Sequence, residues 1–279
     1  MISWNPSREA FTIPLFNHPV AWYGILFAFG FFVGFYIFVD IYSRYLTPYP
    51  DQETLKRAKV FTERLTFYVL IGTLIGARLG DILFYEHIAD YLQNPIRILK
   101  TWEGGLSSHG GVAGILIALT LLYVRVKNQI SWITIIDLLS IPTAFAAVCI
   151  RLGNFINQEI LGTPTDLPWA ITFLDPIDGS SIVPRHPVQL YEALFYLIVF
   201  IGLFSFFRRR LASVKPGLVG GIFFVLVFTF RFLIEYIKEK QSVYVDTSWL
   251  LSMGQLLSVP CILFGLFLIF RQRAIWRAT

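Results

Sequence analysis

Apolar residues run along this chain in stretches of about twenty, separated by short polar segments. A helix that crosses a membrane needs about 20 mostly apolar residues. Seven such stretches can be laid down, at residues 20–42, 64–85, 109–126, 132–150, 188–207, 218–237 and 249–270. The third and fourth are short or interrupted, and Pro142 is expected to kink the fourth. The pattern predicts an all-α polytopic membrane protein with seven transmembrane helices, a single integral membrane domain over 1–279. Between spans four and five, residues 151–187 carry Pro164, Pro168, Pro176, Pro184 and Pro187 and several Asp. This insertion reads as a small cap of turns and short strands, with "WAITFL" the best strand candidate.

Composition points the same way. The chain is 56% hydrophobic and 15% charged, against about 25% charged in a soluble domain. Its mean hydropathy is +0.63. The net charge of +5 reports loop topology and anionic lipid headgroups before it suggests nucleic acid. With Arg78 and Arg231 set aside, 14 of the 23 Lys and Arg lie toward the segments that follow odd-numbered spans and 7 lie on the other side. The excess marks the cytoplasmic face. The N-terminus and the cap are then extracytoplasmic and the C-terminus cytoplasmic. "MISWNPSREAFTIPLFNHPV" has no basic segment leading into an apolar one. The first span is therefore expected to serve as its own targeting signal. Cys149 and Cys261 sit far apart inside apolar runs, as small core side chains do. The spacings Gly30/Gly34, Gly72/Gly76/Gly80 and Gly110/Gly114 predict close helix packing.

Ionised groups within a span need a partner, a cavity or a task. Four places stand out. In "FRFLIEY", Arg231 and Glu235 stand at i, i+4 and are expected to pair. In "GARLGDILFY", Arg78 and Asp81 stand at i, i+3, near enough to the outer half for headgroup level. In "EGGLSSHGGVAG", His109 is flanked by Gly104, Gly105, Gly110 and Gly111, where backbone can approach a ligand closely. In "RLGNFINQEILG" with "PRHPVQLYEA", Arg151, Asn154, Glu159, Arg185, His186, Gln189, Tyr191 and Glu192 flank the cap on both sides. Guanidinium groups match phosphate geometry bidentately. Together these predict an Arg-rich polar pocket in the outer half of the bundle, suited to a phospholipid headgroup. No metal or other cofactor is expected. The four histidines lack H-E-x-x-H spacing, and the sparse carboxylates form no Mg²⁺-type Asp cluster.

"RLGNFINQEILG" resembles the signature of prolipoprotein diacylglyceryl transferases. "EGGLSSHGG", "RHPVQLYEA", "FRFLIEY" and "SMGQLLSVP" resemble further blocks of that family in the same order, and "AWYG" and "GARLGDILFY" are weaker matches. The likeness spans most of residues 20–260. It implies a seven-span enzyme of the bacterial inner membrane with its N-terminus outside. The activity implied is transfer of the sn-1,2-diacylglyceryl group of phosphatidylglycerol to the lipobox Cys thiol of a preprolipoprotein, with release of glycerol phosphate. Its partners would be phosphatidylglycerol, membrane lipids and the signal peptide that carries the lipobox cysteine. By resemblance, Arg151 and Arg231 are the essential cations and His109 the proposed base. Asn154, Glu159 and Gly162 belong to the signature, and Tyr23 lies near the lipid. Gly104, Arg78 and Glu235 are further substrate-side candidates, with Glu235 expected to orient Arg231. Thr163, Val227 and Lys238 depart from residues common in the family.

The chemistry suits these residue types. Thiolate is a strong nucleophile even when scarce near neutral pH. Attack at the glyceryl carbon would expel a phosphate monoester, whose growing charge Arg cations stabilise in a low-dielectric site. A transporter would favour broken helices with repeat symmetry, which the chain does not display. A lipid-binding scaffold would leave lipid and partner covalently unchanged. An intramembrane protease would need a Ser/His or Asp pair at suitable spacing.

Overall fold

Each long apolar run becomes a helix. The computed structural model describes residues 2–14, 18–84, 94–98, 107–210, 215–239 and 251–276. Its helices are α1 (Trp22–Leu46), α2 (Gln52–Phe84), α3 (Ser108–Val126), α4 (Trp132–Asn157), α5 (Val188–Arg210), α6 (Leu218–Ile234) and α7 (Met253–Trp276). Among the described residues, 6 of these are long and apolar enough to cross a membrane, and the apolar part of α3, Gly110–Val126, is shorter. Many large apolar side chains point outward, such as Phe32, Phe67, Ile117 and Leu194. In water that would be costly; against acyl chains it is the expected surface.

Two helices differ from the hydropathy pattern in extent. α2 begins at Gln52, because a polar amphipathic stretch precedes its apolar run. α4 runs to Asn157, although its apolar run stops near 150. Arg151, Asn154 and Asn157 therefore stand on the last two turns of a helix, not in a loop. Pro142 lies inside α4.

The chain divides into two compact units, residues 1–48 with 136–279, and residues 49–135. In the second unit, α2 packs on α3 through glycines. A Cβ at Gly76 would lie 2.7 Å from the Gly114 Cα, and one at Gly110 would lie 2.7 Å from the Gly80 Cα. The small-residue spacing is thus a backbone-to-backbone contact. In the first unit, α1 approaches α4 in the same way. A Cβ at Gly30 would meet the Ala146 Cα at 3.3 Å, and one at Gly34 the Pro142 Cβ at 3.5 Å.

The insertion after α4 is a small sheet. The expected strand forms as β4 (Ile171–Phe173) and pairs antiparallel with β5 (Pro184–Arg185). On its other side it pairs in parallel with β1 (Ile2–Trp4), so the N-terminus completes the sheet. β2 (Glu9–Ile13) and β3 (His18–Ala21) form a separate antiparallel hairpin leading into α1. Under the sheet, Phe155, Leu161, Ile171 and Phe173 form a buried cluster with Trp4 and Leu190 against it. The Trp4 indole N–H donates to the Phe155 carbonyl at 3.0 Å. That bond ties β1 to a carbonyl in the last turn of α4.

Candidate functional site

The site begins where α4 stops. Gln158 adopts φ +55°, in the left-handed region. Its N–H donates to the Phe155 carbonyl at 3.2 Å, and the Glu159 N–H donates to the Asn154 carbonyl at 3.0 Å. This is the Schellman closure of a helix, built here with Gln in place of the usual Gly. Ile160 is also left-handed, at φ +58°, which costs about 1–2 kcal/mol for a residue with a Cβ. The Gln158 side chain is fully buried, and its Oε1 accepts the Asp175 N–H at 2.8 Å. The turn folds Glu159 back over the helix. Its Oε1 accepts from the Asn154 amide at 2.7 Å and from the Asn157 amide at 3.4 Å.

Asn154 hands this order on to Arg151. Its Oδ1 accepts from Arg151 Nη1 at 3.0 Å. Arg151 Nε lies 2.9 Å from Oε2 of Glu192 on α5. Glu192 has no solvent exposure. Its other oxygen takes Lys238 Nζ at 2.9 Å and the Tyr196 hydroxyl at 3.3 Å. Gln189, Glu192 and Tyr196 recur at helical spacing on one face of α5, and the Gln189 amide donates to the Glu159 carbonyl at 2.8 Å. Lys238 stands just beyond the span Leu218–Ile237. Burial pushes its amine below the usual 10.5, while the Glu192 charge pulls it back up.

Arg231, on α6, is half-buried. Among the described residues it donates no hydrogen bond and makes no ion pair. Its charge is felt by Tyr196 and Lys238, which also feel Arg151, and by Cys261. The expected Arg231–Glu235 pair does not form. Regular α-helix ends at Ile234, and Glu235 opens a 3₁₀ turn, Glu235–Ile237, which changes the i, i+4 geometry. Glu235 instead faces Lys238 at 4.0 Å. Gly254 leaves room for its carboxylate, since a Cβ there would come within 2.5 Å of it.

Tyr23 on α1 lies against the bare backbone of Gly153, where a Cβ would stand 2.7 Å from the ring. It is within electrostatic reach of Glu159 and Arg151. Gly162 pairs across an antiparallel bridge with Lys238, and the Glu239 N–H donates to the Leu161 carbonyl at 2.9 Å. The chain after α6 is thereby stitched to the start of the insertion after α4. Arg185, one of the residues expected to flank the cap beside an Arg-rich headgroup pocket, is buried. It bonds the Gly162 carbonyl at 3.1 Å, Ser181, and the Glu239 carboxylate. Its guanidinium is absorbed by this strut.

Arg78 and His109 belong to the second unit. Arg78 is buried and donates to the carbonyls of Ile98 at 3.1 Å and Arg97 at 2.5 Å. Its contact with Asp81 is long, at 3.9 Å. His109 sits in the first turn of α3, which Ser107 caps by accepting the Gly110 N–H at 3.3 Å. The His109 side chain and Gly104 lie outside the described residues.

In the first unit, then, Arg151 and Lys238 share one buried carboxylate, and Arg231, within electrostatic reach of Lys238, has its donors unspent among the described residues. Such a cluster suits an anion with several oxygens. The model of the prolipoprotein diacylglyceryl transferase family matches residues 9–271. The chain belongs to that family. It is 44% identical to a phosphatidylglycerol–prolipoprotein diacylglyceryl transferase of Tolumonas auensis, over 96% of this chain and 96% of the relative. It is 42% identical to the transferase of the same name from Porphyromonas gingivalis, over 97% and 94%. The one from Protochlamydia amoebophila is 34% identical over 97% and 94%.

Against this family membership, the sequence had marked Arg151, Asn154, Glu159, Tyr23 and Arg231, which the fold brings to one region. In the sequence Lys238 stands out only as a departure, and Glu192 and Gln189 only as residues that flank the 151–187 insertion. Tyr196 and Gly254 it did not mark. Tyr196 carries a detectable signal, since it stands four residues after Glu192 on a helix.

Proposed function

We propose that this transferase moves the sn-1,2-diacylglyceryl group of phosphatidylglycerol onto the lipobox cysteine thiol of bacterial preprolipoproteins and releases glycerol phosphate. The observation that carries the reading is Arg231, a half-buried guanidinium without a partner among the described residues, within electrostatic reach of Lys238 in the Arg151–Glu192–Lys238 cluster. A charge in that setting is costly unless a ligand completes it.

The thiolate sulfur attacks the glyceryl carbon that bears the phosphate ester. A C–S bond forms, the C–O bond breaks, and the electron pair leaves on the phosphate of glycerol phosphate. Negative charge grows on that oxygen, so Arg231 and Arg151 bind the leaving group more strongly as the bond breaks. Preorganised donors of this kind stabilise the transition state and not the substrate alone. Glu192 and Asn154 hold Arg151 in place, so it need not reorganise. Tyr23, Glu159, Gly162 and Glu235 line the substrate side, with Gly104 and Arg78 assigned there by resemblance. His109 is assigned the thiol proton on the same ground.

The reading includes seven spans in the bacterial inner membrane, with the N-terminus and the 151–187 cap extracytoplasmic and the C-terminus cytoplasmic. The scissile bond then sits where acyl chains meet headgroup, at the depth where a signal-peptide helix ends in its cysteine. The test combines purified protein, phosphatidylglycerol and a lipobox peptide. A diacylglyceryl mass gain on the peptide with equal release of glycerol phosphate is expected. Neither signal, from folded and lipid-bound protein, overturns the reading in favour of a non-catalytic lipid binder.

A further inference from the structure

Asp137 is a buried carboxylate, 3% exposed, near the opposite end of α4 from Arg151. Its Oδ2 accepts the Gly217 N–H at 2.5 Å and its Oδ1 the Gly220 N–H at 2.6 Å. These are backbone donors at the start of α6, an end that carries partial positive charge. Gly217 is the N-cap, left-handed at φ +100°, and has no side chain to offer. The cap is supplied by another helix. Gly220 permits the approach, since a Cβ there would lie 2.9 Å from Ile136 Cγ2 and 3.2 Å from Asp137 Oδ1.

Both cation-bearing helices run away from this pin. Arg151 follows Asp137 on α4, and Arg231 follows Gly217 into α6, by the same count of about 14 residues or roughly 21 Å of helix. The two guanidiniums arrive within electrostatic reach of the same two groups, Tyr196 and Lys238. Two charge-assisted hydrogen bonds to donors in the same helical turn, Gly217 and Gly220, fix axial position more tightly than apolar packing, which tolerates sliding. A slip of one residue moves Arg231 by about 1.5 Å, enough to spoil a reacting geometry.

We propose that Asp137 is a positioning residue that sets the register of α6 against α4, and so the depth at which Arg231 meets Arg151. The proposal rests on the reading of Arg231 as the phosphate-binding cation. Its test is a double-mutant cycle with sn-glycerol 1-phosphate as the probe, titrated by ³¹P NMR into protein in phosphatidylcholine nanodiscs. Thermal unfolding is followed in parallel. Asp137→Ala is expected to weaken binding at least about fivefold, and Asp137→Asn, which keeps one acceptor, by less. In an Arg231→Ala background, Asp137→Ala should cause no further loss, because residues that act through one another are non-additive. Should Asp137→Ala not fold, Asp137→Asn completes the cycle. Wild-type affinity in the folded Asp137 variants, or full additivity with Arg231→Ala, overturns the proposal alone. Wild-type affinity in Arg231→Ala overturns the reading of Arg231 as well.

Discussion

Arg151 Nε lies 2.9 Å from Oε2 of Glu192, and the carboxylate at the receiving end is wholly removed from solvent. Glu192 also takes Lys238 at 2.9 Å, so one buried negative charge holds two cations on separate segments. Removing one partner of a buried pair typically costs about 3–5 kcal/mol, because the other charge is stranded. Glu192→Gln should lower the unfolding temperature and reduce transfer by about 100-fold or more. Unchanged turnover in the peptide mass assay would remove Glu192 from the support of Arg151.

Lys238 makes a prediction about pH. Burial lowers its amine from 10.5, so it sheds its proton at a lower pH than an exposed lysine. Above that point Glu192 keeps Arg151 alone, and transfer should decline on the alkaline side. Arginine stays charged there. Lys238→Arg should retain activity and move the alkaline decline to higher pH. A profile identical to wild type would show that Lys238 titration does not limit the reaction.

Arg231 should tolerate no neutral replacement. On the proposed function, Arg231→Ala removes a donor to the leaving group, worth about 10²–10³ in rate for comparable donors, with little effect on folding. Arg231→Lys keeps charge but loses the two-pronged fork and should recover only part of the rate. Single-turnover kinetics at saturating phosphatidylglycerol separate the two variants, and equal recovery by lysine would argue for charge alone.

Gly162 is predicted to act through space. A Cβ there would stand 2.7 Å from His186 Cβ and 2.9 Å from Val188 Cγ1, at the bridge to Lys238. Overpacking of this kind costs about 1–3 kcal/mol. Gly162→Ala should lower thermal stability and activity together. A normal melting curve with lost activity would point instead to direct contact with substrate.

His109→Gln separates base catalysis from structure. If His109 takes the thiol proton, the variant should lose most activity near neutral pH and regain it as pH approaches the thiol pKa of about 8.5. A flat deficit across pH would assign His109 a structural part.

Much of this was legible in the sequence for physical reasons. Apolar runs the length of a bilayer specify helices before any tertiary contact exists. The glycines of α2 and α3 announce close packing because small residues let backbones approach, and the Arg151–Glu159 signature marks the candidate site. Other features depend on segments remote in sequence. Whether Arg231 pairs with Glu235 turned on where α6 gives way to a 3₁₀ turn, and Gly254 of α7 makes room for the carboxylate. Arg185 resembles Arg151 in the sequence, yet Gly162, Ser181 and Glu239 take its donors. β1 joins β4 from the other end of the chain. Local pattern determines which residues carry charge and which segments are helical. Only the fold decides which charges are already neutralised by a neighbour, because that depends on distances that sequence spacing does not encode.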